Sequence, residues 1–278
     1  MSGRLADPII VTGAGRSGTK LLRAILAQAP ETVAFPREIN YLWRHGNVSF
    51  PTDELRPEHA RPDVSAYIRG RFARWSRRNQ TLRVVEKTCA NSLRLGFVRA
   101  IFPTASLIHL IRDGRAVAES ARRRWLARPD LPYLLEKLRW VPARDIPYYG
   151  LRYMRYQLGR VRGQAIGAPS SWGPRFAGLD QLMTEKELIQ VCGIQWRTCV
   201  RAADDYLQSI PDSPGHTLRY EDLVADPLVV TAQLFAVLNL TFDESCARFV
   251  QATVTQDNLV KWRKRLSIDD LALLLPHV

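Results

Sequence analysis

Residues 8–29 restrict this chain's folding options more than any other stretch: Pro-Ile-Ile-Val-Thr-Gly-Ala-Gly-Arg-Ser-Gly-Thr-Lys-Leu-Leu-Arg-Ala-Ile-Leu-Ala-Gln-Ala. Ile9, Ile10 and Val11 form a β-branched run, and from Thr19 the apolar residues Leu22, Ile25, Leu26 and Ala29 recur at helical spacing. A strand must therefore turn through a glycine loop straight into a helix. Gly13, Gly15 and Gly18 permit positive φ and close backbone approach, while the first helical amides point outward with the positive end of the helix dipole. Arg16, Lys20 and the hydroxyls of Ser17 and Thr19 complete a predicted site for a phosphate-like or sulfate-like group. Gly13 and Gly18 have the separation of a Walker A loop, but Thr19 and Lys20 follow in transposed order. The lysine and metal-ligand hydroxyl of an ordinary ATPase or kinase are thus out of register, which argues against that activity and not against the fold.

Further strands are expected at 32–35, 82–86 and 106–111, with a last strand and its turn over 217–223. With amphipathic segments between them, the chain reads as α/β, a P-loop-like parallel sheet of about five strands flanked by helices on both faces. Ligands in such sheets bind at the carboxyl ends of the strands. Glu38 follows the second strand, as a base or as a loop carboxylate paired with Arg37 or Arg44, and Lys87 ends the third. Arg112 ends the strand 106–111, and Ser120 and Arg124 lie four apart on the helix expected at 116–125, so these three can converge on a second anion. Asn91 or Ser92 is the expected cap of the helix carrying Leu95, Val98 and Ile101, and His109 reads as a core histidine. Tyr220 faces a base or packs, and Lys261 and Trp262 lie in a basic segment able to close over a phosphate.

The whole of 1–278 is expected to form one domain. Within it, 122–178 is a loosely patterned insertion, rich in arginine and in Tyr148, Tyr149, Tyr153 and Tyr156, suited to a lid or an acceptor platform. The formal net charge is +13, and lysine supplies only six of the forty basic residues. Arginine forks suit phosphate and sulfate oxygens, so the excess fits a polyanionic ligand, an acidic acceptor or peripheral contact with a membrane surface. Basic–aromatic interleaving also suits single-stranded nucleic acid, but without an RNA-binding motif that partner is not expected. No apolar run approaches a membrane span, and Cys89, Cys192, Cys199 and Cys246 lack metal-ligand spacing. Reduced core thiols and a cytoplasmic setting are the expectation.

Three ordered motifs resemble the sulfotransferases that use 3′-phosphoadenosine 5′-phosphosulfate (PAPS). Gly13-Ala14-Gly15-Arg16-Ser17-Gly18-Thr19 is similar to their 5′-phosphosulfate loop, Ile111-Arg112-Asp113-Gly114-Arg115 with Ser120 to their 3′-phosphate motif, and Leu218-Arg219-Tyr220-Glu221-Asp222-Leu223 to a recurrent later segment. The chain looks closest to bacterial members and to tyrosylprotein sulfotransferases; Trp172-Gly173-Pro174-Arg175 is familiar from the former, and the segment after Lys87 departs from the family in lacking Asp-Pro. The resemblance implies sulfuryl transfer from PAPS to a hydroxyl or amine of a glycan, glycolipid, peptide tyrosine or metabolite, leaving 3′-phosphoadenosine 5′-phosphate (PAP), without a metal. It implies Glu38 as base and Arg16 and Lys87 at the transferring group. Ser17, Gly18, Thr19 and Lys20 would hold the 5′-phosphate, Arg112, Ser120 and Arg124 the 3′-phosphate, and Tyr220 and Trp262 the adenine. The rivals are a P-loop kinase or nucleotide hydrolase and a non-catalytic anion-binding module.

Overall fold

The computed structural model describes residues 7–127, 141–148, 151, 172–210 and 215–278. Of Tyr148, Tyr149, Tyr153 and Tyr156 only Tyr148 falls among them, so the lid or platform expected of 122–178 lies largely outside the described residues. Five strands, β1 (Ile9–Thr12), β2 (Thr32–Ala34), β3 (Arg83–Lys87), β4 (Ser106–Ile111) and β5 (Gly215–Arg219), form a sheet in the order β2-β3-β1-β4-β5. Each neighbouring pair is parallel. All strand ends therefore point the same way, and the residues following β1, β3, β4 and β5 meet along one edge.

Strand alternation divides the core into two layers. On one face Ile9, Val11, Val85, Ile108 and Leu110 pack against Leu22, Ile25 and Leu26 of α1 (Thr19–Leu26), with Leu234 and Phe235 from the helix Pro227–Val237. On the other, Ile10, Val84 and Leu107 meet Val64, Ile68 and Phe72 from the helix Pro62–Arg78 and Val98 and Ile101 from the helix Leu95–Ile101. Each fully buried Leu or Ile contributes about 1.5–3 kcal/mol relative to exposure, so this layering fixes the register that delivers the polar strand ends to one edge.

The helix after β4 spans Gly114–Leu126 because the Asp113 carboxylate accepts from the Arg115 amide at 2.8 Å, an N-cap that starts it two residues before the apolar pattern does. His109 is fully buried, with Nδ1 3.0 Å from Asp204 Oδ1. The four cysteines are buried and unbridged. Neither Asn91 nor Ser92 caps the helix Leu95–Ile101: its N-cap is Arg94, without a side-chain cap. Asn91 is instead drawn inward by a buried carboxylate, described below. Among the described residues no helix is long and apolar enough to cross a membrane.

Candidate active site

The loop between β1 and α1 is held open by its own backbone. Gly18, the N-cap of α1, has φ 92°, and a Cβ there would lie 2.5 Å from Cδ2 of Tyr220. Gly13 has φ 149°, and a Cβ there would stand 2.3 Å from the Leu110 carbonyl oxygen. Arg16 adopts φ 80°, a left-handed conformation that costs a non-glycine residue about 1–3 kcal/mol and is kept where surrounding structure enforces it. No acidic residue lies in the first turn of α1 and no side chain caps it, so its amide end is free to meet an anion. The Ser17 hydroxyl is buried and has no hydrogen-bond partner among the described residues, a donor that a phosphate or sulfate oxygen would satisfy.

The second strand-to-helix turn closes directly onto this loop. Arg16 Nε donates to Ser120 Oγ at 2.9 Å, and Arg112 Nη1 donates to the Arg16 carbonyl at 3.2 Å. Trp196 Nε1 donates to the Arg112 carbonyl at 3.0 Å, and the Arg112 guanidinium lies 4.4 Å from the centre of the Tyr220 ring. Burial, and then repulsion from Arg123, Arg124 and Arg112, hold the Arg16 pKa below its ordinary value. Four guanidinium groups thus converge, and of the nearby acids Glu119 engages Arg123 at 2.5 Å. Tyr220 is only 4% exposed; its ring lies under Gly18 and Arg112 as a floor. Trp262, also buried, stacks against Arg115 at 4.4 Å, and Lys20 and Lys261 are exposed.

The ends of β2 and β3 supply a different chemistry. Lys87 Nζ donates a short hydrogen bond to Glu38 Oε1, with Lys87 only 7% exposed. Burial alone would pull the Lys87 ammonium down, but adjacent Cys89 and Glu38 outweigh it, and the pKa stands above that of an ordinary lysine. Burial pushes the Cys89 thiol up to about 12, so it is neutral near pH 7 and the Glu38 carboxylate is the anion that keeps Lys87 charged. Cys89 Sγ lies 3.9 Å from Lys87 Nζ and 3.6 Å from Thr19 Oγ1, which links this pair to the first residue of α1. The two halves of the edge are therefore contiguous.

Four residues that the sequence reading did not assign to the site belong here. Trp172 stands over the loop: a Cβ on Gly15 would meet its ring at 2.7 Å. Gln195 Nε2 holds the residues around it, donating to the carbonyls of Trp172 at 3.1 Å and Pro174 at 2.9 Å. Arg123 joins the guanidinium cluster, although helical spacing gave no reason to prefer it to Arg122. Glu86, fully buried on β3, accepts from Thr88 Oγ1 at 2.5 Å and Asn91 Nδ2 at 2.9 Å, and burial pushes its carboxyl up to about 7. A carboxylate inside an apolar strand was the signal that could have marked it.

A family model described as the sulfotransferase family matches residues 8–161, more than half of the chain. No curated protein sequence matches it. Among solved structures, the sulfotransferase domain from the curacin biosynthetic pathway is 18% identical, with 95% of this chain and 84% of that one covered and a TM-score of 0.52. The sulfotransferase domain from the Synechococcus PCC 7002 olefin synthase is 18% identical over 99% of this chain and 96% of that one, at 0.53. Sulfotransferase STF9 from Mycobacterium avium is 12% identical over 98% and 76%, at 0.53. At these identities the likeness to the solved structures is one of fold.

Proposed function

The chain belongs to the sulfotransferase family, and from that premise we propose that it moves a sulfuryl group from PAPS to a hydroxyl or amine of an acceptor, releasing PAP. The observation that carries the donor is the 2.9 Å contact between Arg16 Nε and Ser120 Oγ. It joins the glycine loop to the helix that follows β4, and a nucleotide bearing phosphates at both ends would lie across the two. Ser17, Gly18, Thr19 and Lys20 would hold the 5′-phosphate on the amide end of α1, and the buried Ser17 hydroxyl, which has no partner among the described residues, fits that ligand. Arg112, Ser120 and Arg124 would hold the 3′-phosphate. Trp262 would border the nucleotide, with Lys261 beside it, while Tyr220, beneath the loop, would support Arg112 rather than offer a free face.

PAPS supplies an activated sulfuryl group whose leaving group is its own 5′-phosphate. In-line displacement then needs a base for the acceptor proton and cations for charge gathering on the equatorial and bridging oxygens. Glu38 is the proposed base. Its ion pair with Lys87 holds both groups at the edge before the acceptor arrives; an acceptor hydroxyl would replace part of that pairing, leaving Lys87 to turn toward the reacting oxygens. Arg16 would share that charge from the loop side. The arginine-rich surface favours an acceptor of extended or acidic character.

Calorimetry with PAP and with ATP, each with and without magnesium, tests this assignment. Metal-independent PAP binding, followed by a one-sulfuryl mass gain in an acceptor pool incubated with PAPS, is the expected result. Preference for magnesium-ATP would return the protein to the phosphoryl-transfer side of the fold, and binding of neither nucleotide would leave an anion-binding module.

A further inference from the structure

Resting on the sulfuryl-transfer reading, we infer that Glu86, which cannot reach a ligand, is a positioning residue that locks Glu38, Lys87 and the Trp172 segment into one working geometry. Its two carboxylate oxygens are roots of two hydrogen-bonded arms. On one arm Thr88 Oγ1 donates to Glu86 Oε1 at 2.5 Å and accepts from the Ile39 amide at 3.2 Å, which pins the backbone immediately after Glu38. On the other, Asn91 Nδ2 donates to Glu86 Oε2 at 2.9 Å, and Asn91 Oδ1 accepts from Arg94 Nε at 2.9 Å. Arg94 continues to Asp53 at 3.6 Å and donates to Asn40 Oδ1 at 2.5 Å. Asp53 then brackets Arg175: its Oδ2 accepts from the Arg175 amide at 2.9 Å, and its own amide donates to the Arg175 carbonyl at 2.7 Å. Arg175 lies three residues after Trp172, whose ring covers Gly15.

Lys87 is the next residue on β3, so its side chain leaves the opposite face of the strand from a backbone that Glu86 anchors. Glu86, Thr88, Asn91 and Arg94 are all at most 2% exposed. No solvent can substitute for a lost partner, and a half-satisfied buried network is costly. An ionised Glu86 accepts from both arms; a protonated one carries a donor on one oxygen, so either the Thr88 hydroxyl turns round to accept or the Asn91 amide is pushed back, and the geometry of the arms changes. The charged groups that set this ionisation are Arg94, before the helix Leu95–Ile101, and Glu38, after β2, with the Trp43 indole beside the carboxyl.

Wild type, Glu86→Gln, Thr88→Val and the double variant are compared by PAP calorimetry, single-turnover transfer from PAPS across pH, and thermal melting. Glu86→Gln is expected to lower the transfer rate about 10–100-fold, the range seen for partners that orient a liganding group, with PAP affinity within about twofold of wild type. The ionisation near pH 7 should vanish from its rate profile. Thr88→Val should also slow transfer, and the double variant should be no slower than the worse single one. Trp43 gives a readout without nucleotide: tryptophan emission of wild type should titrate near pH 7, and that of Glu86→Gln should not. A wild-type rate and pH profile in Glu86→Gln overturns the inference, as does a slowed variant that keeps the wild-type profile. If Glu86→Gln fails to fold, Thr88→Val decides: an unchanged transfer rate there overturns it. Wild type that binds no PAP overturns the sulfotransferase reading itself, a different failure from inert variants of an active enzyme.

Discussion

The two halves of the strand edge handle charge in opposite ways. Around Arg16 three further arginines crowd together, and, after burial, repulsion from them helps depress the Arg16 pKa. Around Lys87 the cation is buried against Glu38, and its pKa is raised. A surplus of cations is stable only while water or an anion satisfies it, so the arginine side is built to receive charge. A matched, desolvated pair is built to be held still and then parted. On the sulfuryl-transfer proposal, the contrast would separate a binding region from a region where bonds change.

Substitutions on the two sides should therefore fail differently. The largest effect is expected from Lys87→Ala. Removing one donor of charge stabilisation at a reacting oxyanion costs about 10²–10³ in kcat, or about 2.7–4 kcal/mol, with PAP affinity nearly unchanged. Pre-steady-state transfer alongside PAP calorimetry separates the two, and a variant with near-normal turnover would erase the distinction between the sides. Arg112→Ala should show the converse pattern. Losing a charged hydrogen-bond donor of about 1.5–3 kcal/mol weakens PAP binding about tenfold or more. Preference for PAPS over adenosine 5′-phosphosulfate should shrink with it. Retained discrimination between those donors would move the 3′-phosphate away from Arg112. The Arg112 effect should also fade at high ionic strength and the Lys87 effect should not, because Lys87 is nearly inaccessible to counterions.

The binding half was the more legible in the sequence, for a physical reason. Strand-to-loop-to-helix transitions after β1 and β4 are local events, so glycine spacing and helical periodicity reveal Gly13, Gly18, Arg16, Arg112 and Ser120 without knowledge of the rest. The number of strands and their parallel sense were expected from similar local patterns, whereas their order in the sheet is visible only in the structure. The chemical half depends on long-range meetings: Glu38 with Lys87 across 49 positions, Asp53 with Arg175 across 122. No period or motif encodes those distances. Asn91 illustrates the error: judged locally it is a helix cap, whereas the fold supplies a buried carboxylate that binds its amide. Trp172 was visible as part of a familiar tetrapeptide, but only the close approach at Gly15 gives it a place over the loop.

The smallest expected effect concerns stability against pH, and it distinguishes the two buried charges of the chemical half. Glu86 has its folded pKa raised from 4.5 to about 7, so between those values the folded state binds the proton more tightly than the unfolded state. Stability therefore falls as pH climbs through that window and levels off above it. Lys87 is also raised, from 10.5, but for a lysine the added stability is fully present below the unfolded value and lost only as pH rises through the folded one. From about pH 7 to 10 neither group titrates, and both contributions to stability should be flat. In a chain of this size each kcal/mol shifts Tm by about 2–4 °C, so a melting series from pH 4.5 upward resolves the Glu86 decline. Glu86→Gln should remove that decline while leaving the alkaline limb intact. If the variant retains the acid-side slope, another carboxyl produces it, and Lys87 alone would mark the buried side of the edge as electrostatically tuned.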